Sequence, residues 1–167
     1  YAFVQKDIDF TPSNHIGQFV HVWNDCENKE LGAVPPEFMT SKVLKNKTPQ
    51  MVIHYVQPHA PYIGDYRLQD DNNQDFGESV NEIYKKIGRY SKKDKIISDS
   101  ELRRAYRSNL RRVLKAVRQL VINLDRPIII TADHGEMLGE KDRYIHGGLP
   151  TEDEICKLPW FKIDSSM

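Results

Sequence analysis

Two short apolar runs and one long periodic one organise this chain. Met51-Val-Ile-His-Tyr-Val56 and Ile128-Ile-Ile-Thr-Ala-Asp133 are apolar over strand length, the pattern of buried strands. Between them Leu102, Tyr106, Leu110, Val113, Val117, Leu120, Val121 and Leu124 recur at three and four, which predicts an amphipathic helix from about 99 to 124. Ser98 or Ser100 is its expected N-cap, and Asp125-Arg-Pro127 ends it. Phe19-Val-His-Val-Trp23 has strand composition, and Gly32-Ala-Val-Pro-Pro36 breaks it before a short helical pattern through Phe38, Val43 and Leu44. Ile83 to Tyr90 reads as helical, Ser91 to Lys95 as a charged connection, and Pro159-Trp-Phe-Lys-Ile163 as a last short strand. Residues 64–78 are rich in Asp, Asn and Gln, and 64–98 as a whole is expected to be a polar surface insertion. There is no internal repeat.

Strand, helix and strand in this order imply right-handed crossovers and a largely parallel α/β sheet. In such a sheet the loops after 51–56 and 128–133 leave from one edge, where open α/β sheets gather their chemistry. This order therefore brings His59, Asp133 and His134 together.

Composition narrows the picture only slightly. The 167 residues suit one domain, with 24 basic and 24 acidic side chains and so no net charge that would suggest nucleic acid. Cys26 and Cys156 lie far apart without metal-ligand spacing, which predicts unpaired thiols. No apolar run approaches the roughly 18 residues of a membrane span, and no signal-peptide pattern opens the chain, so the localisation stays unknown. The long helix carries Arg103, Arg104, Arg107, Arg111, Arg112, Lys115 and Arg118 beside its apolar stripe, the pattern of a solvated face.

The candidate chemistry sits at the ends of the apolar runs. Asp133 and His134 offer a carboxylate oxygen and an imidazole nitrogen, a donor pair suited to zinc, manganese or a similar divalent ion. Consecutive strand side chains point to opposite faces, so both reach one ion only if the chain twists out of the strand, which Gly135 permits. His59 is fixed between Pro58 and Pro61, as suits a preorganised ligand or a donor to a substrate oxygen. His54, inside its apolar run, reads as a hydrogen-bonded core residue, and His15 and His21 have no supporting context.

Taken together, Thr131-Ala-Asp-His-Gly-Glu136, His146-Gly147 and Pro58-His-Ala-Pro61 resemble the C-terminal half of the alkaline phosphatase/sulfatase superfamily. The stretch Ile53 to Tyr62, with Val34-Pro-Pro-Glu37 before it and Leu158-Pro-Trp160 after it, is most similar to the sulfatase-like proteins of archaea. The resemblance implies a three-layer, alkaline-phosphatase-like fold whose largely parallel sheet is flanked by helices. It assigns Asp133 and His134 to the catalytic metal, which could be zinc, manganese or calcium. It assigns His59 and His146 catalytic roles, on substrate oxygens or as ligands of a second ion, and Glu136 a place behind the ligands. The implied substrate is a sulfated or phosphorylated sugar, lipid or other small ester.

The chain departs from that pattern upstream. The family carries there an acidic metal ligand and a hydroxyl or modified-cysteine nucleophile, and Asp7, Asp9, Thr11 and Ser13 imitate them only weakly. The expectation is therefore that residues 1–167 form a single C-terminal portion of a catalytic domain, incomplete and inactive alone. Three readings follow: a hydrolase of sulfate or phosphate esters, a phosphoethanolamine-type transferase, and a noncatalytic module that binds a metal or an anion.

Overall fold

The structure is a computed structural model that describes residues 17–26, 31–68, 80–88, 95–146 and 152–164. Helix α1 spans Pro36–Lys45, α2 Val80–Lys86 and α3 Asp99–Asn123; then come β1 Ile128–Thr131, β2 Met137–Leu138, β3 Tyr144–Ile145, α4 Asp153–Cys156 and β4 Trp160–Ile163. No helix among these residues is long and apolar enough to cross a membrane.

Helix α3 is the frame. Ser98 caps it: its hydroxyl accepts from the Glu101 amide at 3.3 Å while the Ser98 amide donates to Glu101 Oε2 at 2.9 Å. This reciprocal pair satisfies donors that a helix start leaves free. The buried face is Leu102, Ala105, Asn109, Val113, Ala116 and Leu120, rotated by about one position from the face expected from the large apolar residues. Small residues on a helix permit close approach, so Ala105 and Ala116 sit inward while Tyr106, Leu110 and Val117 are only partly covered.

One side of α3 receives α1. Thr40, buried, hydrogen-bonds the Tyr55 hydroxyl at 2.7 Å and donates to the Ala116 carbonyl at 3.2 Å. Arg112 holds Glu37 from Nε at 2.9 Å. The larger core cluster lies where α2 and the loops at 60–68 and 95–97 meet α3: Ala60, Tyr62, Leu68, Ile83, Tyr84, Ile87, Ile97, Leu102, Ala105 and Ile145. Residues 64–98 are thus not simply a polar surface insertion, because Leu68, Ile83, Tyr84, Ile87 and Ile97 are core. The Asn- and Asp-rich part at 69–79 lies outside the described residues.

Three further expectations change. Residues 19–23 form no strand; Val22–Asp25 is a 3-10 turn, which puts Val22 and Cys26 together against Val34, Phe38 and Met39. Residues 51–56 run without joining a ladder, with Val52 almost fully exposed and Ile53 and Tyr55 half-buried. His54 follows Val52 outward, so it is exposed rather than a core residue. Strand β1 ends at Thr131, two residues early, and pairs antiparallel with β4, Ile128 opposite Ile163 and Thr131 opposite Trp160. The other sheet, β2 with β3, is also two-stranded and antiparallel. The largely parallel, three-layer sheet expected from the sequence is not seen among the described residues. Both cysteines are free, Cys26 buried and Cys156 exposed.

The β2–β3 hairpin is fastened to the start of α3 by charge. Lys95 Nζ donates to Asp99 Oδ1 at 2.7 Å and to the Tyr144 hydroxyl at 2.6 Å, and that hydroxyl donates to Asp99 at 3.0 Å. The hydrogen bond from Lys95 holds the Asp99 carboxyl below the usual carboxylate range, and the bond to Asp99 raises the Lys95 ammonium. A lowered carboxyl contributes stability above its unfolded pKa and loses it as pH falls through the folded one. Lys95→Met should therefore be less stable than the parent near pH 7 by about 0.5 kcal/mol, the size of a partly screened pair. Urea unfolding as a function of pH checks this: the gap should close as pH drops below about 4, and a gap that persists at pH 2 would exclude the ion pair as its cause.

Candidate functional site

Three loops deliver the site. The first follows residues 51–56 and carries His59; the second follows β1 and carries Asp133 to Glu136; the third leaves β3 with His146. Gly135 lets the second loop seat against α4: its amide donates to the Ile155 carbonyl at 2.9 Å, and a Cβ there would collide with the Glu154 carbonyl. Close backbone approach, and not a left-handed φ, is what requires glycine at this position.

His59, Glu136 and His146 each present a ligand atom, and these atoms all lie within 4.8 Å of one another. Glu136 Oε1 is 3.6 Å from His59 Nε2 and 3.3 Å from His146 Nδ1. The Glu136 side chain is 4% exposed, against about a quarter for each histidine. His59 Nδ1 lies 2.6 Å from the Ala60 carbonyl. A carbonyl only accepts, so Nδ1 carries the proton and Nε2 is the lone-pair nitrogen, to which the Tyr84 hydroxyl donates at 2.9 Å. His134 is fixed in the same way, Nδ1 donating to the Gly135 carbonyl at 2.9 Å.

The histidines stack as a row. The His146 ring centroid lies 5.2 Å from that of His59 and 3.9 Å from that of His134. Asp133 is at the exposed end, its Oδ1 3.8 Å from His134 Nε2 and its Oδ2 3.7 Å from His54 Nε2. His146 lies between His59 and His134, and Asp133 beside His134, with no direct contact between His59 and Asp133 among those described. Thr11, Ser13 and Gly147 lie outside the described residues.

Glu136 takes a different position from the one the sequence suggested. It belongs to the same donor group as the two histidines, and it is the most buried of the three. Its Oε2 is buried with no hydrogen-bond partner among the described residues, a state that costs about 1–3 kcal/mol or more for a charged acceptor. Around it are phenols. Burial, reinforced by the Glu136 charge, pushes Tyr106 up to about 12 and Tyr62 well above its ordinary value. A buried carboxylate oxygen without a partner among the described residues, two imidazoles beside it and the phenols of Tyr62 and Tyr106 in its field make an arrangement that could hold a cation. The mixed N and O donor set suits zinc or manganese.

Tyr84 was not legible as a site residue, because α2 carries no motif and its hydroxyl reaches His59 only through the fold. No family model, no curated protein and no solved structure matches the chain.

Zinc should raise the unfolding midpoint of the 167-residue chain, by the equivalent of about 2.7 kcal/mol at a hundredfold excess over Kd. Glu136→Gln should lose that increment, yet without metal be at least as stable as the parent, since it removes the buried unpaired charge. If zinc stabilises Glu136→Gln as strongly as the parent, Glu136 is not a ligand.

Proposed function

We propose that this chain carries the metal- and oxyanion-binding part of a sulfatase-like hydrolase of sulfate or phosphate esters. The observation that supports this reading is the meeting of His59, Glu136 and His146, three residues from separate loops, beside a carboxylate oxygen that has no partner among the described residues. They are the residues that would hold a divalent ion, with Asp133 and His134 as the donor pair of the outer, exposed end. Such an ion would supply positive charge against the nonbridging oxygens of the ester.

The chain's own groups supply the rest. Nε2 of His59 faces the site because Nδ1 is held by Ala60. With an ion on Nε2, the Tyr84 hydroxyl, 2.9 Å from that nitrogen, would be released to donate to an oxygen of the ester instead. With His59 and His146 engaged by the ion, the proton for the leaving oxygen would come from a group that does not hold it. Transfer to water defines the hydrolase; transfer to a sugar or lipid would make the same site a transferase.

A second reading, a module that binds a metal or an oxyanion without turnover, has its own support. Thr131, the hydroxyl nearest in sequence to the ligand loop, donates to the Pro159 carbonyl at 2.8 Å and so is engaged in joining β1 to β4.

Calorimetric titration of the zinc-loaded chain with inorganic phosphate and with sulfate, followed by 4-nitrophenyl phosphate and sulfate turnover, tests these readings. The first expects oxyanion binding that disappears with EDTA and weakens in His59→Ala and His146→Ala, each by tenfold or more, about 1.4 kcal/mol. Oxyanion binding unaffected by EDTA would overturn both the hydrolase and the metal site. Binding with turnover of neither ester, even in the longest chain that contains this sequence, would leave the noncatalytic module as the answer.

A further inference from the structure

We propose that Asn109 is the positioning residue of His59: its side-chain amide sets where the imidazole stands relative to Glu136 and His146. The consequence for metal binding rests on the reading above; the positioning itself does not.

Asn109 is fully buried in the middle of α3, in phase with Leu102, Ala105, Val113, Ala116 and Leu120. Every other member of that stripe is apolar, and an apolar residue there would pack the helix as well. A buried amide is costly unless all its groups are paired, so its presence points to partners that need it. Those partners are the His59 loop. Asn109 Oδ1 accepts from the Ile63 amide at 2.7 Å. Its Nδ2 faces the carbonyls of Pro58 at 3.2 Å, His59 at 3.1 Å and Pro61 at 3.1 Å.

The loop satisfies only part of its own needs, the His59 amide donating to the Val56 carbonyl at 3.1 Å and its ring to that of Ala60. Gln57, Ala60, Tyr62 and Ile63 are buried, so its carbonyls need donors from the protein. Pro58 and Pro61 have no N–H to offer. One side chain with two N–H bonds, shared over three carbonyls, supplies them. The His59 backbone is thereby tied to α3 at its own carbonyl and at the one before it, while the ring is tied at Nδ1 to Ala60. With both ends fixed, Nε2 is left 2.9 Å from the Tyr84 hydroxyl and 3.6 Å from Glu136 Oε1. Neighbouring residues of α3 hold only the later part of the loop: Ser108 Oγ accepts from the Tyr66 amide at 2.8 Å, and Arg112 donates to the Ile63 carbonyl.

The test compares Asn109→Ser and Asn109→Asp, the latter keeping the acceptor for Ile63 while losing both donors. Val113→Ala is the control, a buried substitution one turn away that removes no hydrogen-bonding group. Without metal, the NMR cross-peak of the His59 ring should shift and lose its contact with Tyr84 in both Asn109 variants, while that of exposed His54 stays. With cobalt(II) as probe, Kd should weaken about 10–100-fold. In a His59→Ala background the same substitution should change Kd less than about twofold, since coupling vanishes once its object is gone. An unmoved His59 cross-peak in a folded Asn109 variant overturns the proposal. So does an equal shift in Val113→Ala, an undiminished effect in the His59→Ala background, or failure of both Asn109 variants to fold. Cobalt that does not bind the parent chain refutes the metal reading, and the His59 cross-peak then still decides the role of Asn109.

Discussion

The obligation to pair every buried backbone group governs how this molecule is put together around α3. The loop at 57–63 carries two prolines and packs inward with Ala60, Tyr62 and Ile63, a combination in which carbonyls outnumber local donors. Loops usually run over the surface because water solves that problem for them. Here α3 solves it, giving up an apolar position at Asn109 to do so. Once the loop is bonded to the helix, the core cluster of Tyr62, Ile83, Tyr84, Ile87 and Leu102 can close over it. The direction of His59 follows from that closure.

A second, opposing term acts at Glu136. Folding buries its side chain, leaves one oxygen without a partner among the described residues and sets it near Tyr62 and Tyr106, phenols that its charge makes harder to ionise. Buried ionic groups left in this state destabilise unless something of opposite charge answers them. The Lys95, Asp99 and Tyr144 cluster shows the contrasting arrangement, in which a half-exposed carboxylate is answered at Oδ1 by an ammonium and a hydroxyl and fastens a hairpin. The difference between these two carboxylates is what separates a candidate binding group from a structural one.

The elements whose periodicity comes from a single packed face were legible in the sequence. Helix α3 and its Ser98 cap, α1 and the pairing segments β1 and β4 fall where the pattern put them, give or take a residue or two. The pattern failed where apolar composition has more than one cause. Met51–Val56 reads as a strand covered on both sides, yet Val52 and His54 face out and only the alternate residues are covered by the described chain. Phe19 to Trp23 has β-prone residues, but the pairing of Val22 with Cys26 against α1 favours a turn of helix. Tyr84 could not be read, because a residue's distance from another loop is a property of tertiary packing. Asn109 did leave a trace, a polar residue in phase with Leu102, Ala105 and Val113, and it was missed because the stripe was traced through the bulkier Tyr106 and Leu110 instead.

Part of the exposed apolar surface lies on segments that lead into the site. Trp160 and Phe161 on β4, Ile129 on β1 and Val52 beside His54 are all exposed large apolar residues. Single exposed apolar side chains are ordinary on protein surfaces, but Ile129 and Trp160 share one face of the β1–β4 pair, with Phe161 on the other, and such a face is one that sheets normally cover. The ligand loops leave from these same segments: His59 follows 51–56, and Asp133 to Glu136 follow β1. Whatever orders this face therefore also bears on the outer end of the histidine row, where Asp133 and His54 are well exposed. The inner end, His59 with Glu136 and His146, is held by α3, α2 and the β2–β3 hairpin. The two ends differ in how they are held: the inner donors are set by half-buried hydrogen bonds to Ala60, Tyr84 and Glu136, whereas Asp133 accepts from the His134 amide at 3.0 Å and meets His54 across a solvent-screened gap of 3.7 Å.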